Sequence, residues 1–182
     1  MHAVYLNAAL ELEKKKHPNK EIIPAGIFYY QMKDPMVEKT EEDQVQDALL
    51  KELRPDGLVS SDPEVLNHLD HTGTRSSLAA PFARNKDGSI SKTSRAASRK
   101  EFELLSSYTR KKTGQLKEEI LEGNAKKEPY ELGTSTGCDY CPYHGICGFD
   151  EKIEGCGYRN LVSQKREEIF RLIARELSEW EG

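Results

Sequence analysis

No stretch of this sequence approaches the roughly 20 consecutive apolar residues that a helix needs to span a bilayer. Nor does it open with a basic region, an apolar stretch and a small-residue cleavage site, since it begins Met1-His2-Ala3-Val4-Tyr5-Leu6. These absences set the expectation of a cytoplasmic protein without membrane contact. An excess of one charge sign is also lacking. Against 27 Lys and Arg stand 31 Asp and Glu, a net charge of −4, so a polyanion-binding surface must be sought in one segment, not in the average. Internal repeats and low-complexity tracts are absent. Cysteine is scarce, and all four, Cys138, Cys141, Cys147 and Cys156, fall in one short stretch. In a secreted mini-protein they would pair as disulfides; in a reducing cytosol, clustered cysteines more often bind a metal or react. With 182 residues, 36% of them hydrophobic, the chain has room for one domain or a large piece of one.

Residues 3–16 carry a helical pattern with Tyr5, Ala9 and Leu12 along one face, ended by Pro18-Asn19. No capping residue precedes this stripe, as expected of a chain that continues upstream. Ile22 to Met32 is nearly continuously apolar and stopped by Asp34-Pro35, which predicts a strand buried on both faces. Few partner strands are visible downstream, so its neighbours are expected in upstream sequence. On this reading Phe28, Tyr29 and Tyr30 are core residues, not a base-stacking strip. Residues 41–53 form an amphipathic helix through Val45, Leu49 and Leu53. A short helix follows, with Asp62 as N-cap and Pro63 at its first position. His68 and His71 have no third partner nearby in sequence and are expected at the surface.

Gly73 to Lys100 differs in kind. It holds seven basic residues, Arg75, Arg84, Lys86, Lys92, Arg95, Arg99 and Lys100, and one acid, Asp87. Phosphate contact and a solvated loop are both open for this segment, with Arg75, Arg84, Lys86, Lys92 and Arg95 as the candidate nucleic-acid residues. Asn85-Lys86-Asp87-Gly88 predicts a turn. A capping box, Ser98-Arg99-Lys100-Glu101, opens a long helix through Phe102, Leu105, Tyr108, Leu116 and Ile120 that stops at Gly123. A last helix, about 163–180, is expected to bury Ile169, Phe170, Ile173 and Leu177.

The sharpest chemical signal is Cys138-x2-Cys141-x5-Cys147, with Cys156 further on. A Cys-x2-Cys turn aims two sulfurs at one point, and a short loop returns the third. Zinc, with His144 or Cys156 as fourth ligand, and an iron–sulfur cluster both suit this spacing, which does not separate the two metals.

The run Cys138-Asp139-Tyr140-Cys141-Pro142-Tyr143-His144-Gly145-Ile146-Cys147-Gly148-Phe149-Asp150, with Gly157-Tyr158-Arg159 after it, resembles the C-terminal end of the B subunits of bacterial AddAB-type ATP-dependent helicase–nucleases. Pro24 to Pro35 and Ala97-Ser98 leading into Glu101-Phe102-Glu103-Leu104-Leu105 resemble the same family, and the likeness runs in order from about residue 3 to about 161. The resemblance implies an α+β fold: the C-terminal portion of a restriction-endonuclease-like domain of the PD-(D/E)xK class, mostly helical, over residues 1–136. A cysteine segment at 137–161 and a terminal helix at 162–182 would follow. It also implies a [4Fe–4S] cluster, with Cys138, Cys141 and Cys147 as three of its four ligands and the fourth far upstream. Cys156 is not a position that the family pattern requires. The catalytic acids, which hold Mg²⁺, and the catalytic lysine are implied to belong to strands before residue 1. Tyr5 matches the tyrosine of a Gln-x3-Tyr motif as a possible accessory residue, but Met1 stands at the glutamine position. No Asp…(Asp/Glu)-x-Lys arrangement on a strand pair occurs here, and Glu11 and Glu13 are simply solvated charges.

The expected function is therefore that of a structural and cluster-binding part of a subunit that processes DNA double-strand breaks for recombinational repair, working with DNA and an AddA-like helicase–nuclease. A zinc-stabilised interaction or nucleic-acid-binding module is the alternative. A relative of CRISPR-associated iron–sulfur nucleases is a third.

Overall fold

The seating of the first helix, α1 (His2–Lys16), is decided by a polar residue. Asn7, only 6% exposed, donates through Nδ2 to the Ser106 carbonyl at 3.0 Å and accepts from the Ser106 hydroxyl at 2.5 Å. Ala3, Leu6 and Leu10 follow Asn7 inward, whereas Tyr5, Ala9 and Leu12 face solvent. The stripe of Tyr5, Ala9 and Leu12 is thus the outward one. Both sides of α1 carry apolar residues, so periodicity alone cannot choose between them; a buried amide that needs a partner can.

The computed structural model describes residues 2–30, 32, 34–37, 42–72 and 75–180, in two compact units, Met1–Arg110 and Lys111–Gly182. Gln31, Lys33, Glu41, Gly73 and Thr74, which fall in segments discussed above, lie outside the described residues, as does Met1.

The first unit holds a three-stranded sheet in the order β1 (Gly26–Tyr29), β2 (Asp56–Ser60), β3 (Ala96–Ala97). β1 pairs antiparallel with β2, from Gly26 opposite Val59 to Tyr29 opposite Asp56, and β2 pairs parallel with β3. The strand expected over Ile22–Met32 is therefore shorter and lies at the sheet's end. It is not buried on both faces, for Phe28, Tyr29 and Tyr30 are 37%, 47% and 64% exposed. β2, like the four strands after it, is not signalled by the sequence; in its case Pro55-Asp56-Gly57 has the composition of a turn. Gly57 is there for packing: at φ +136° a Cβ would overlap the Ile27 carbonyl oxygen.

Between β1 and β2 runs α2 (Glu42–Glu52), with Val45 and Leu49 half-buried as expected. After β2 comes α3 (Pro63–Leu69). Its N-cap is Asp62, whose carboxylate accepts from the Glu64 N–H at 2.9 Å. The core gathers Val59, Leu66, Ala80, Phe82 and Ala96, with Leu69 and Ile90 packed against it. Four of these residues, Ala80, Phe82, Ile90 and Ala96, come from the basic segment. That segment is wound into the unit by backbone bonds from Ser77 N–H to the Phe82 carbonyl (3.1 Å) and from Arg84 N–H to the Arg75 carbonyl (2.7 Å). The Ser77 and Thr72 hydroxyls lower the pKa of the nearly buried Asp70 carboxyl.

The long helix α4 (Arg99–Leu121) begins on the expected capping box: Ser98 N–H donates to the Glu101 carboxylate (2.6 Å) and Glu101 N–H to the Ser98 hydroxyl (3.3 Å). It closes at Gly123, φ +74°. Phe102 is buried, but Leu116 and Ile120, on the same apolar pattern, are 58% and 74% exposed: the pattern extends past the part of the helix that is covered.

In the second unit, a small sheet has the order β5 (Ser135–Thr136), β4 (Tyr130–Leu132), β6 (Arg159–Leu161). β5 returns antiparallel beside β4 through Gly133, while β6 runs parallel along its other edge. The cysteine segment is the excursion from one edge of β4 to the other, and carries the single-turn helix α5 (His144–Cys147). The last helix, α6 (Arg166–Glu179), buries Ile173 and Leu177 as expected; Ile169 is 43% exposed, against expectation. Lys112 pairs with Glu176 at 2.5 Å, and Lys111 and Lys112 lie over the Trp180 ring.

Candidate functional site

The basic segment separates into two classes of cation. Arg95 places one guanidinium nitrogen between both oxygens of Asp56, at 2.5 and 2.6 Å. Arg84 donates to the Asn67 side chain (3.2 Å) and lies over the Phe82 ring. Arg99 is paired with Glu21 and Glu103, and these bonds raise its pKa. These three arginines spend their donors on the fold. Lys86 and Lys92 instead sit in tight turns, one closed by Gly88 N–H to the Asn85 carbonyl (3.1 Å), the other by Ser94 N–H to the Ser91 carbonyl (2.9 Å). The Asn85–Gly88 turn is the expected one, and the isolated pairing of Arg84 with Ile90 makes it the end of a hairpin. Their ammonium groups, with that of Lys100 and the Arg75 guanidinium, point to solvent on an ordered framework. Such cations meet phosphate oxygens at little conformational cost.

Around the cysteines, the geometry begins at Thr136. Its hydroxyl donates to Asp139 (2.6 Å) and accepts from Cys138 N–H (3.2 Å), and its own N–H donates to the same carboxylate (2.9 Å). These bonds, from the Thr136 side chain first, hold the Asp139 carboxyl below its usual pKa. Cys141 N–H then donates to the Cys138 carbonyl (3.2 Å) and His144 N–H to that of Cys141 (3.2 Å), a tight turn onto α5. An open cavity is lined by Thr136, Cys138, Asp139, Cys141, His144 and Tyr158, among others. Cys147 N–H donates to the Tyr143 carbonyl (2.8 Å), and Lys127 caps α5 by donating to the Cys147 and Gly148 carbonyls.

The fit to a metal centre is incomplete. Cys138 and Cys141 reach one cavity, but Cys147 is exposed and does not line it, and among the described residues no three His, Cys, Asp or Glu side chains converge as ligands. Cys156 is likewise not brought to the cavity. Sequence reading gave no role to Tyr158, whose hydroxyl bonds to Cys138; that contact, with desolvation, raises the tyrosine's pKa. Its ring packs edge-on against Phe149 at 4.9 Å. The Gly157-Tyr158-Arg159 run was the only signal for it.

Tyr5, 68% exposed on α1, projects away from the Asn7–Ser106 seat, and Glu11 pairs with Arg110 at 3.1 Å. No helix among the described residues is long and apolar enough to cross a membrane.

Three proteins, each named as the B subunit of an ATP-dependent helicase/deoxyribonuclease, illustrate the relatives. The one from Thermoanaerobacter sp. (strain X514) is 37% identical over 178 residues, covering 96% of this chain and 15% of that protein. The one from Alkaliphilus metalliredigens is 39% identical over 175 residues, 95% of this chain and 15% of that one. The one from Lachnoclostridium phytofermentans is 37% identical over 182 residues, 95% and 16%. The chain thus spans about 15% of the length of the relatives it matches. The family model described as the PD-(D/E)XK nuclease superfamily matches residues 2–148, and the chain belongs to that superfamily.

Proposed function

We propose that this chain serves as part of a helicase–nuclease B subunit that processes DNA ends for recombinational repair in the cytoplasm, beside an AddA-like ATP-driven partner. The observation that carries this reading is the identity of 37–39% over nearly the whole chain to proteins bearing that name. Within the larger protein, these residues contribute DNA contact and structural support. The carboxylates that hold Mg²⁺ and the associated lysine are supplied by other parts of the polypeptide, and Tyr5 supports that site from the side.

DNA contact falls to Lys86, Lys92 and Arg75 first, with Arg84 and Arg95 adding charge from their structural positions. Binding is weak, sequence-independent and salt-sensitive, with a Kd of roughly 10⁻⁴–10⁻⁶ M. Titrating labelled duplex at several salt concentrations tests it. Each phosphate contact adds about 0.9 to the slope of log affinity against log salt, so Lys86→Glu with Lys92→Glu lowers that slope by about 2. An unchanged slope and affinity would leave the two turns merely solvated. Arg95→Glu is the wrong probe, because it sets a carboxylate against Asp56 and disturbs the fold.

Cys138, Cys141 and Cys147 supply three thiolates of a four-thiolate iron–sulfur centre, the fourth coming from elsewhere. The same thiols with His144 could instead take zinc. Support comes from the all-sulfur spacing and from the turn that brings Cys138 and Cys141 to one cavity. Aerobically purified 182-residue chain is expected to hold less than stoichiometric iron and no stable absorbance near ~400 nm. About four irons and four acid-labile sulfides per chain would mean that the ligand set is complete here; one zinc per chain would favour the interaction module.

A further inference from the structure

We propose that the cleft between α1, the segment after it and the start of α4 binds a nucleotide, its phosphate at Lys14 and Lys20 and its base on an apolar floor. Two polar clamps fix the walls. Asn7 holds α1 to Ser106 of α4, and Glu21 holds the segment after α1 to Arg99 at the head of α4. Beside these clamps lies a cavity of about 470 Å³, within the roughly 300–1,000 Å³ of small-molecule sites. All its lining residues belong to the first unit, and none is among the cations assigned above to DNA contact.

The chain from Lys14 to Lys20 carries four lysines and no acid. Pro18 stops α1, and Lys20 N–H donates to the His17 carbonyl at 3.0 Å, a turn that returns Lys20 to the cavity that Lys14 lines. Glu13 draws off Lys16 at 2.7 Å and His17 at 3.7 Å. The ammonium groups of Lys14 and Lys20 have no such partner among the described residues. Two unpaired, compact cations at one mouth suit the several oxygens of a phosphate.

The rest of the lining narrows the class. Leu10, Ile22 and Pro24 are half-buried and Phe102 is buried, so the floor is apolar and does nothing for an inorganic anion. Along one wall Arg99 bonds Glu21 and Glu103, the latter at 3.3 Å, which sets donors beside acceptors. The edge of a nucleobase offers both kinds of group, and its faces are apolar enough for the floor. An acyl chain would satisfy the floor but leave that wall desolvated without a partner. A nucleotide uses all three surfaces.

Lysine acylation of the full-length polypeptide, read by mass spectrometry, tests this residue by residue. Lys15 follows Lys14 on α1 but does not line the cavity, and is the internal reference. Deoxyadenosine monophosphate at about ten times a Kd of roughly 1 mM should slow acylation of Lys14 and Lys20 on the order of tenfold, and of Lys15 less than about twofold. If a short single-stranded oligoadenylate gives the same pattern at lower concentration, the nucleotide belongs to a strand; if only the monophosphate does, it is a free one. Inorganic phosphate and an abasic oligomer of equal charge should not reproduce the pattern. Ser107→Trp, which fills the cavity without altering charge, should abolish it. If that variant folds poorly, the contrast of Lys14 with Lys15 in the unsubstituted protein decides. Equal slowing of all three lysines, equal slowing by the abasic oligomer, slowing that survives in a folded Ser107→Trp variant, or Lys14 and Lys20 unreactive before any ligand is added would each overturn the proposal. Lys86→Glu with Lys92→Glu should leave the pattern intact, so this site and the DNA-contacting turns fail or stand separately.

Discussion

Supplied with Mg²⁺ or Mn²⁺, the purified 182-residue chain is expected to leave single- and double-stranded DNA uncut. Metal-assisted hydrolysis of a phosphodiester needs carboxylates that hold the ion where it can stabilise developing charge and acidify a bound water. Several acids among the described residues are deployed otherwise. Glu11 is tied to Arg110, Glu13 to Lys16, Glu21 and Glu103 to Arg99, and Asp56 to Arg95. The perturbed Asp70 accepts from Ser77 and Thr72 and serves the loop that carries them. Among the described residues none of these acids gathers with two others into a ligand set. Removing the metal ligands of a nuclease removes the rate enhancement outright, so cleavage should stay at background over long incubation whatever the state of the cysteines. A gel assay with end-labelled substrate checks this. Cleavage that a single Asp or Glu substitution within residues 2–180 abolishes would place the active site inside the chain.

What the sequence disclosed and what it hid follow a physical division. Local signals were legible: the Ser98–Glu101 capping box, the Asp62-Pro63 helix start and the Asn85–Gly88 turn each satisfy their own backbone groups within a few residues. Choices settled by distant partners were not. The face that α1 buries depends on Ser106, 99 residues away in sequence. β2 hides behind turn-forming residues, since Gly57 is needed by the neighbouring Ile27 carbonyl and not by any local bend. For the cysteines, spacing indicated a ligand set, and the folded segment brings two of the thiols to one cavity. The charge of the basic segment was plain, but not which cations are free: Arg84 and Arg95 are held by Asn67 and Asp56, residues the charge pattern does not single out.

Phe82→Ala should strongly destabilise the first unit, although the residue lies within a segment that charge alone would assign to a solvated loop. The Phe82 ring is 1% exposed and shares a core with Val59, Leu66, Ala80 and Ala96. Truncating a buried phenylalanine removes its transfer free energy and leaves a cavity, costing about 3–5 kcal/mol. Against a total stability of about 5–15 kcal/mol, that is a large fraction. For a unit of this size it lowers Tm by more than about 10 °C. The substitution also withdraws the surface beneath Arg84 and loosens the turns that present Lys86 and Lys92, so DNA affinity should fall with no charge altered. Leu78→Ala, four residues earlier and 39% exposed, is the control, at a cost under about 1 kcal/mol. Thermal denaturation of the two variants separates the cases. Equal, small shifts would mean that the segment is not part of the core; a large shift for Phe82 alone means that the basic surface rests on an apolar anchor, and that its phosphate contacts depend on that anchor's packing.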